Sequence, residues 1–356
     1  MRKQGTLLIT GIMGISIILT GCFQGEQSMG EKVDPPQNAE PVNELENGSS
    51  DETGADAEND AAAETVKRQL FLIDANGMVA PQTLEIPKSE SKEVAAQALE
   101  YLVKDGPVTN LLPNGFQAVL PAGTEILGLN LEKDGTMIVD VSSEFKNYEA
   151  ADELKVLQAM TYTLTQFDSV NKVQLRIEGQ DQTEMPVNGT PIAEGYSRAN
   201  GINITETDAL DLINSQAVTL YYPTEYNETK YFVPITKHIE VNDQDLYGSI
   251  VQTLLEGPGY SVNATQVFNE QASLTADPTL NNGVLELVFN QGILAEADKT
   301  TISDDVMESL VRTLTEQQSV EAVQVKVENV EKLFNENGEE YNKPVTSSVF
   351  SKAKKL

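Results

Sequence analysis

Few side chains in this 356-residue chain could do chemistry, and most of them stand alone. Cys22 is the single cysteine, His238 is the single histidine, and tryptophan is absent. One histidine excludes a multi-histidine metal site, and one thiol excludes an intrachain disulfide. To act as a base, His238 in Thr236-Lys-His-Ile239 would need a nucleophile and an orienting acid that no spacing places, so it reads as a surface or partly buried residue beside a strand end. Asp140 and Glu144 flank Val-Ser-Ser and invite an acid/base pair, but carboxylates at such positions also cap helices and end strands, and the structural use is preferred. Asp74-Ala-Asn-Gly77 and Asn335-Glu-Asn-Gly338 begin like calcium loops. Neither continues with the remaining oxygen ligands and closing glutamate, so both read as Asn-Gly turns. Tyr221, Tyr222, Tyr226 and Tyr231 cluster at the start of the second half. They are candidate interaction residues, able to stack on a glycan, against the commoner reading of tyrosines half-buried in a hairpin. No catalytic set, cofactor site or metal site is expected.

Cys22 has a context of its own. Arg2 and Lys3 precede an apolar run from Leu7 to Leu19 that is too short to span a bilayer, the pattern of a secretory signal. Leu19-Thr-Gly-Cys22 closes the run and resembles the lipobox of bacterial lipoproteins. That resemblance implies a diacylglyceryl group on the Cys22 thiol, removal of residues 1–21 as signal peptide, and Cys22 as the mature N-terminus. Two acyl chains anchor stably where one is marginal, because each buried methylene contributes about 0.8 kcal/mol. The expected location is the extracytoplasmic face of a cell membrane, with the chain held there by lipid.

The elements that must carry any functional group begin well beyond Cys22. The chain has 55 acidic and 24 basic side chains and a formal net charge of -31. Such a surface repels phosphate backbones and anionic headgroups, so nucleic acid is excluded as a partner and electrostatics cannot supply the membrane attachment. From Glu26 to Glu64 there are 12 acidic residues against the one basic residue Lys32, with Pro35, Pro36 and Pro41 and no aromatic residue. This composition cannot bury enough apolar surface to offset ordering entropy, so residues 22–66 are expected to be a disordered acidic linker. A flexible chain of about 40 residues has an r.m.s. reach of roughly 35 Å, so the folded part would work well away from the bilayer.

The remainder contains itself twice. Residues 161–180 align without gaps on 311–330, and Thr163, Leu164, Thr165, Ser169, Val170, Val173, Gln174 and Glu178 recur 150 positions later. A fixed offset of this kind marks a tandem duplication. Helical stripes, Val94 to Val103 and Leu246 to Leu255, both end at Gly-Pro, at Gly106-Pro107 and Gly257-Pro258. Hairpins follow at Lys133-Asp-Gly135 and Asn282-Gly283, then second helices from about Asp152 and Asp304, then alternating strands through Leu175 and Val325. With opening strands at Leu70–Asp74 and Val218–Pro223, each copy is expected to be β-α-β-β-α-β. The fold class is α+β: two tandem two-layer domains, 67–200 and 201–356, with helices on one face of a small mixed sheet.

A lipobox, an acidic linker, and two copies of a unit with Leu120-Pro-Ala-Gly-Thr124 ahead of Asp134-Gly-Thr-Met-Ile-Val-Asp-Val-Ser-Ser-Glu-Phe145 together resemble the GerM sporulation and spore-germination lipoproteins with tandem GerMN domains. The second copy departs from the pattern, with Val288 in place of Asp140 and no Leu-Pro-x-Gly-Thr. The resemblance implies a Gram-positive spore former and a non-enzymatic scaffold needed in sporulation and germination. The GerMN unit is also similar to ring-building modules, which implies envelope or mother cell to forespore channel proteins as partners, and a homo-oligomer or ring as the assembly. The alternative is a lipoprotein that binds cell-wall glycan or a solute, with peptidoglycan as its partner. A wall hydrolase is the least supported class, because the residue inventory offers it no metal ligands.

Overall fold

The computed structural model describes residues 64–88, 94–204, 215–240, 245–295 and 300–350. Cys22 and most of the acidic linker lie outside the described residues. In chain order the first copy contains β1 (Thr65–Ile73), β2 (Val79–Pro87), α1 (Val94–Glu100), β3 (Ile126–Leu131), β4 (Thr136–Val141), α2 (Glu153–Leu164), β5 (Lys172–Ile177), β6 (Gln180–Asp181) and β7 (Tyr196–Ser197). The second contains β8 (Ser215–Tyr226), β9 (Thr229–Glu240), α3 (Leu246–Glu256), β10 (Thr279–Asn281), β11 (Val284–Phe289), α4 (Asp304–Leu314) and β12 (Ala322–Val327). Each copy is a module of mixed sheet and helices, and the tandem α+β architecture read from the repeat is present.

The sheets follow the same plan. β3 and β4 pair antiparallel through the Lys133-Asp-Gly135 turn, and β4 pairs parallel to β5 after the α2 crossover. β10, β11 and β12 repeat this order, with Asn282 and Gly283 at φ 49° and 79° in the two-residue turn. Alternation puts Val139, Val141, Val173, Leu175 and Ile177 into the core, while Gln174 and Arg176 stay partly exposed on the other face. Met137, Leu287 and Val325 follow the same inward pattern.

Each module opens with a two-stranded ladder where a single strand was expected, β1 with β2 and β8 with β9. Prolines conceal the second strands in the sequence, because Pro81 and Pro234 lack the N–H a ladder uses. The pairing resolves the conflict. Pro81 lies opposite Phe71, whose N–H donates to Thr163 Oγ1 at 3.0 Å. Pro234 lies opposite Tyr221, whose N–H donates to Thr313 Oγ1 at 3.0 Å. Both prolines therefore occupy non-hydrogen-bonded pairs, where no donor is needed. Helix α1 also stops earlier than its apolar stripe, because the Leu102 carbonyl accepts the amides of Val119 and Leu120 and the chain leaves the helix to make that bridge.

Helix α2 packs against β1 and β2 on one side and β5 and β7 on another. Ten of its twelve residues are buried, from Glu153 to Leu164 with only Leu154 and Lys155 outside. One contiguous apolar core runs through both modules, from Leu70 and Phe71 through Tyr162 and Ile202 to Tyr222, Val233 and Leu310. Residues 61–356 accordingly form one compact unit. No helix among the described residues is long and apolar enough to cross a membrane.

Candidate functional site: the junction between the modules

A cluster of charged and polar side chains sits where the modules meet. Ser197 and Asn200 brace a single helical turn by reciprocal side-chain and backbone bonds, which fixes the position of Arg198. Arg198 Nε donates to Thr165 Oγ1 at 2.8 Å, and one Nη donates to the Tyr162 carbonyl at 3.3 Å. A cation there complements the negative end of α2. The other Nη donates to both Glu316 carboxylate oxygens at 2.9 and 2.8 Å, across the junction. The guanidinium lies 4.5 Å from the Tyr162 ring centroid and 5.9 Å from that of Phe71. Glu316 accepts a further bond at 2.7 Å from Tyr221 Oη. Burial, then the Glu316 carboxylate, raises the Tyr221 phenol well above its usual range, and burial pushes Tyr162 up to about 12. A cleft of about 740 Å³ opens over this cluster between the C-terminal ends of α2 and α4.

Three further contacts close the junction. Tyr231 Oη donates to the buried Asp74 carboxylate at 2.9 Å while its ring meets Phe116 edge-on at 4.8 Å. Asn203 receives the Val79 N–H on Oδ1 and gives its own amide protons to the Val79 and Pro234 carbonyls, at 2.7 to 2.9 Å. Tyr226 lies over Gly115, where φ is +83° and a Cβ would collide with the ring. Only glycine permits that approach.

The tyrosines singled out in the sequence are therefore framework residues. Tyr221, Tyr222 and Tyr231 are buried, and Tyr226 is half-buried against the first module. Tyr222 Oη donates to the carbonyls of Thr253 and Leu254, both at 3.3 Å. The four rings make no exposed stacking platform, because the hydroxyls of Tyr221, Tyr222 and Tyr231 are bonded within the chain and the Tyr226 ring lies over Gly115. Asp74 Oδ1 accepts the amides of Asn76 and Met78 at 2.9 and 2.8 Å, and Asn335 Oδ1 accepts those of Asn337 and Glu339 at 3.0 and 2.8 Å. Both segments are turns in which the side-chain oxygen replaces a backbone acceptor. Asp140 Oδ1 accepts the Gly179 N–H at 3.0 Å. Bonds from Ser142 and from its own backbone hold the Glu144 carboxyl below its usual range. His238 is half-buried on β9 opposite Ala217.

Sequence reasoning missed Arg198, Glu316 and Asn203. A signal existed only for Glu316. Position 166 of the first copy is glutamine, and its repeat partner 316 is glutamate, a change at an aligned site that separates a local role from a junction role. Gln166 Nε2 donates to the Gln69 and Thr163 carbonyls inside its own module.

Two repeat-related α+β modules, fused by a partly buried ionic and aromatic junction into one body, define a tandem-module protein. A family model described as Germane, sporulation and spore germination, matches residues 69–183 and 219–333. The spore germination protein GerM of Bacillus subtilis (strain 168) is 43% identical over 360 residues, 97% of each chain. The solved tandem GerMN domains of the sporulation protein GerM from Bacillus subtilis are 46% identical, covering 80% of this chain and 97% of that one, with a TM-score of 0.74. The solved first GerMN domain of the same protein is 56% identical over 38% of this chain and 98% of its own, with a TM-score of 0.36. The chain belongs to the Germane family and carries two GerMN domains in tandem, which makes it a sporulation- and germination-related protein.

Proposed function

We propose that the chain is a lipid-anchored, non-enzymatic scaffold that works by protein contacts on the outer face of a cell membrane during sporulation. The observation that carries this reading is the junction. A bidentate Arg198–Glu316 pair and a shared core hold two modules in one fixed relation, so the body presents several sheet and helix faces at set angles. Fixed geometry is what a scaffold needs, because ordering costs are met in folding and not in each encounter. The candidate reactive groups fit the same reading, since Asp74, Asp140 and Asn335 each use Oδ1 to accept backbone amides. Cys22 in its lipobox-like tetrad supplies the anchor, and the acidic linker as far as the start of β1 at Thr65 supplies the reach. Partners of this scaffold are envelope or sporulation-channel proteins and further copies of the chain.

The test compares Cys22→Ala with wild type in sporulating cells. The expected result is a folded protein lost from the membrane fraction, with sporulation reduced to the level of a deletion. Normal sporulation supported by a secreted, non-lipidated chain would remove anchoring from the mechanism.

A further inference from the structure

The two modules diverge at one surface position in a way that folding does not explain. In the first, Gly106-Pro107 is followed by Val108, which is fully buried. In the second, Gly257-Pro258 is followed by Gly259 and Tyr260, and the Tyr260 ring is fully exposed. In the loop that carries it Pro258 fixes one φ, while Gly257 and Gly259 take φ of 93° and 86°, a conformation that few other residues adopt. A large aromatic side chain is thus displayed to solvent without a packing role in the chain.

Beside it lies a cleft of about 580 Å³ between the end of α3 and the segment before β10. Its floor is apolar, through Leu255, Ala264 and Ala272. Its walls carry Gln252, Glu256, Asn269 and Glu270, all exposed, and none of its lining residues is cationic. Asn269 gives its amide protons to the Gly292 and Leu294 carbonyls at 2.9 and 3.3 Å, which fixes its side chain at the edge of the cleft. The corresponding hollow in the first module, beside Gly106 and Pro107, has no aromatic residue in its lining.

We propose that this cleft, with Tyr260 as its platform, binds a neutral glycan strand. A pyranose presents weakly positive C–H groups on one face, which suit the electron-rich face of a tyrosine ring, and hydroxyl donors around its edge, which suit amide and carboxylate acceptors. The Glu256 and Glu270 carboxylates outnumber the nearby Lys237 ammonium, which is bonded to the Gly257 carbonyl at 2.7 Å, and this balance disfavours a phosphorylated or uronic-acid polymer. A protein hot spot would instead be ringed by contacts that exclude water, and this cleft is open and rimmed by polar groups. The site adds a ligand for the second module to the scaffold role, and it is independent of which protein the scaffold holds.

The test uses the full-length protein in a detergent without a sugar headgroup, and N-acetylglucosamine hexamer as the probe. Because the chain has no tryptophan, Tyr260→Trp introduces a single indole whose emission reports directly on stacking. The expected results are a saturable emission shift on adding the hexamer, and at least about a tenfold loss of affinity in Tyr260→Ala measured by calorimetry, with an unchanged unfolding midpoint. Equal binding by wild type and Tyr260→Ala would overturn the proposal, as would the absence of binding to wild type. Tyr260 variants that lose a protein partner in sporulating cells while the hexamer fails to bind would reassign the surface to a protein contact.

Discussion

Two threonines show how the repeat works at the scale of single residues. Thr163 and Thr313 recur at the 150-residue offset, and each accepts the N–H of the opening strand at the equivalent position, Phe71 or Tyr221, at 3.0 Å. Both are fully buried, so removing the hydroxyl leaves a strand amide without a partner. Replacing either by the near-isosteric valine is expected to cost about 1–3 kcal/mol, read as a fall in the urea midpoint, and the two losses should be similar. A negligible effect at both sites would show that the amides find other acceptors. Among the described residues Glu153 is the most heavily bonded acid. It accepts the Tyr148 and Thr190 hydroxyls and the Val187, Asn188 and Thr190 amides at 2.6 to 3.1 Å, and it is fully buried. Burial alone would raise its pKa, but these donors hold it below the usual glutamate value. A folded pKa below the unfolded one contributes stability that is complete above the unfolded value and is lost as pH falls through the folded value. In Glu153→Gln the amide group would meet two backbone donors. The midpoint at pH 7 should fall by the equivalent of about 3 kcal/mol, and the acid limb of the stability curve should flatten. An acid limb identical to wild type would place the responsible carboxylate elsewhere.

At the scale of elements, alternation revealed β4, β5, β11 and β12, with Gly135, Gly179 and Gly283 marking turns beside the first three, and acidic residues at 152 and 304 marked the starts of α2 and α4. The strands β2 and β9 were hidden by Pro81 and Pro234, whose tolerance depends on ladder register that only the paired structure supplies. The tyrosine cluster was legible as a cluster, but not its direction. Tyr221 and Tyr222 are adjacent on a strand and must point to opposite faces, yet both are buried, since β8 is covered by α4 on one side and core on the other. Arg198 gave no signal in sequence, because its partners come from positions 33 and 118 residues away. The β8–β9 hairpin reaches back to the first module through Tyr226 over Gly115. Gly115→Ala should therefore destabilise by about 2 kcal/mol, from positive φ and collision together. Adding Tyr226→Ala should recover the collision part, so the double variant will be less damaged than the sum of the singles, as a double-mutant cycle in urea would measure. Strict additivity would mean that the ring has already moved aside.

At the scale of the molecule, the continuous core predicts one cooperative unfolding transition for the residues beyond the linker. Arg198→Met removes one partner of a pair whose side chains are 29% and 21% exposed, leaving Glu316 and Tyr221 without their cation. The expected cost is about 3 kcal/mol, with the calorimetric transition broadening or splitting as the modules uncouple. A sharp single transition at the wild-type midpoint would assign the coupling to apolar contact alone. The β8–β9 hairpin has a consequence in time as well as in space. A chain made from its N-terminus completes the first module some tens of residues before Tyr231 and Pro234 exist to cover Val79, Asp74 and Phe116. At roughly 5–20 residues per second, that surface stands uncovered for several seconds in every nascent molecule. The moment of greatest exposure to misassembly is thus set by the order of synthesis, and it ends when the second module's first hairpin arrives.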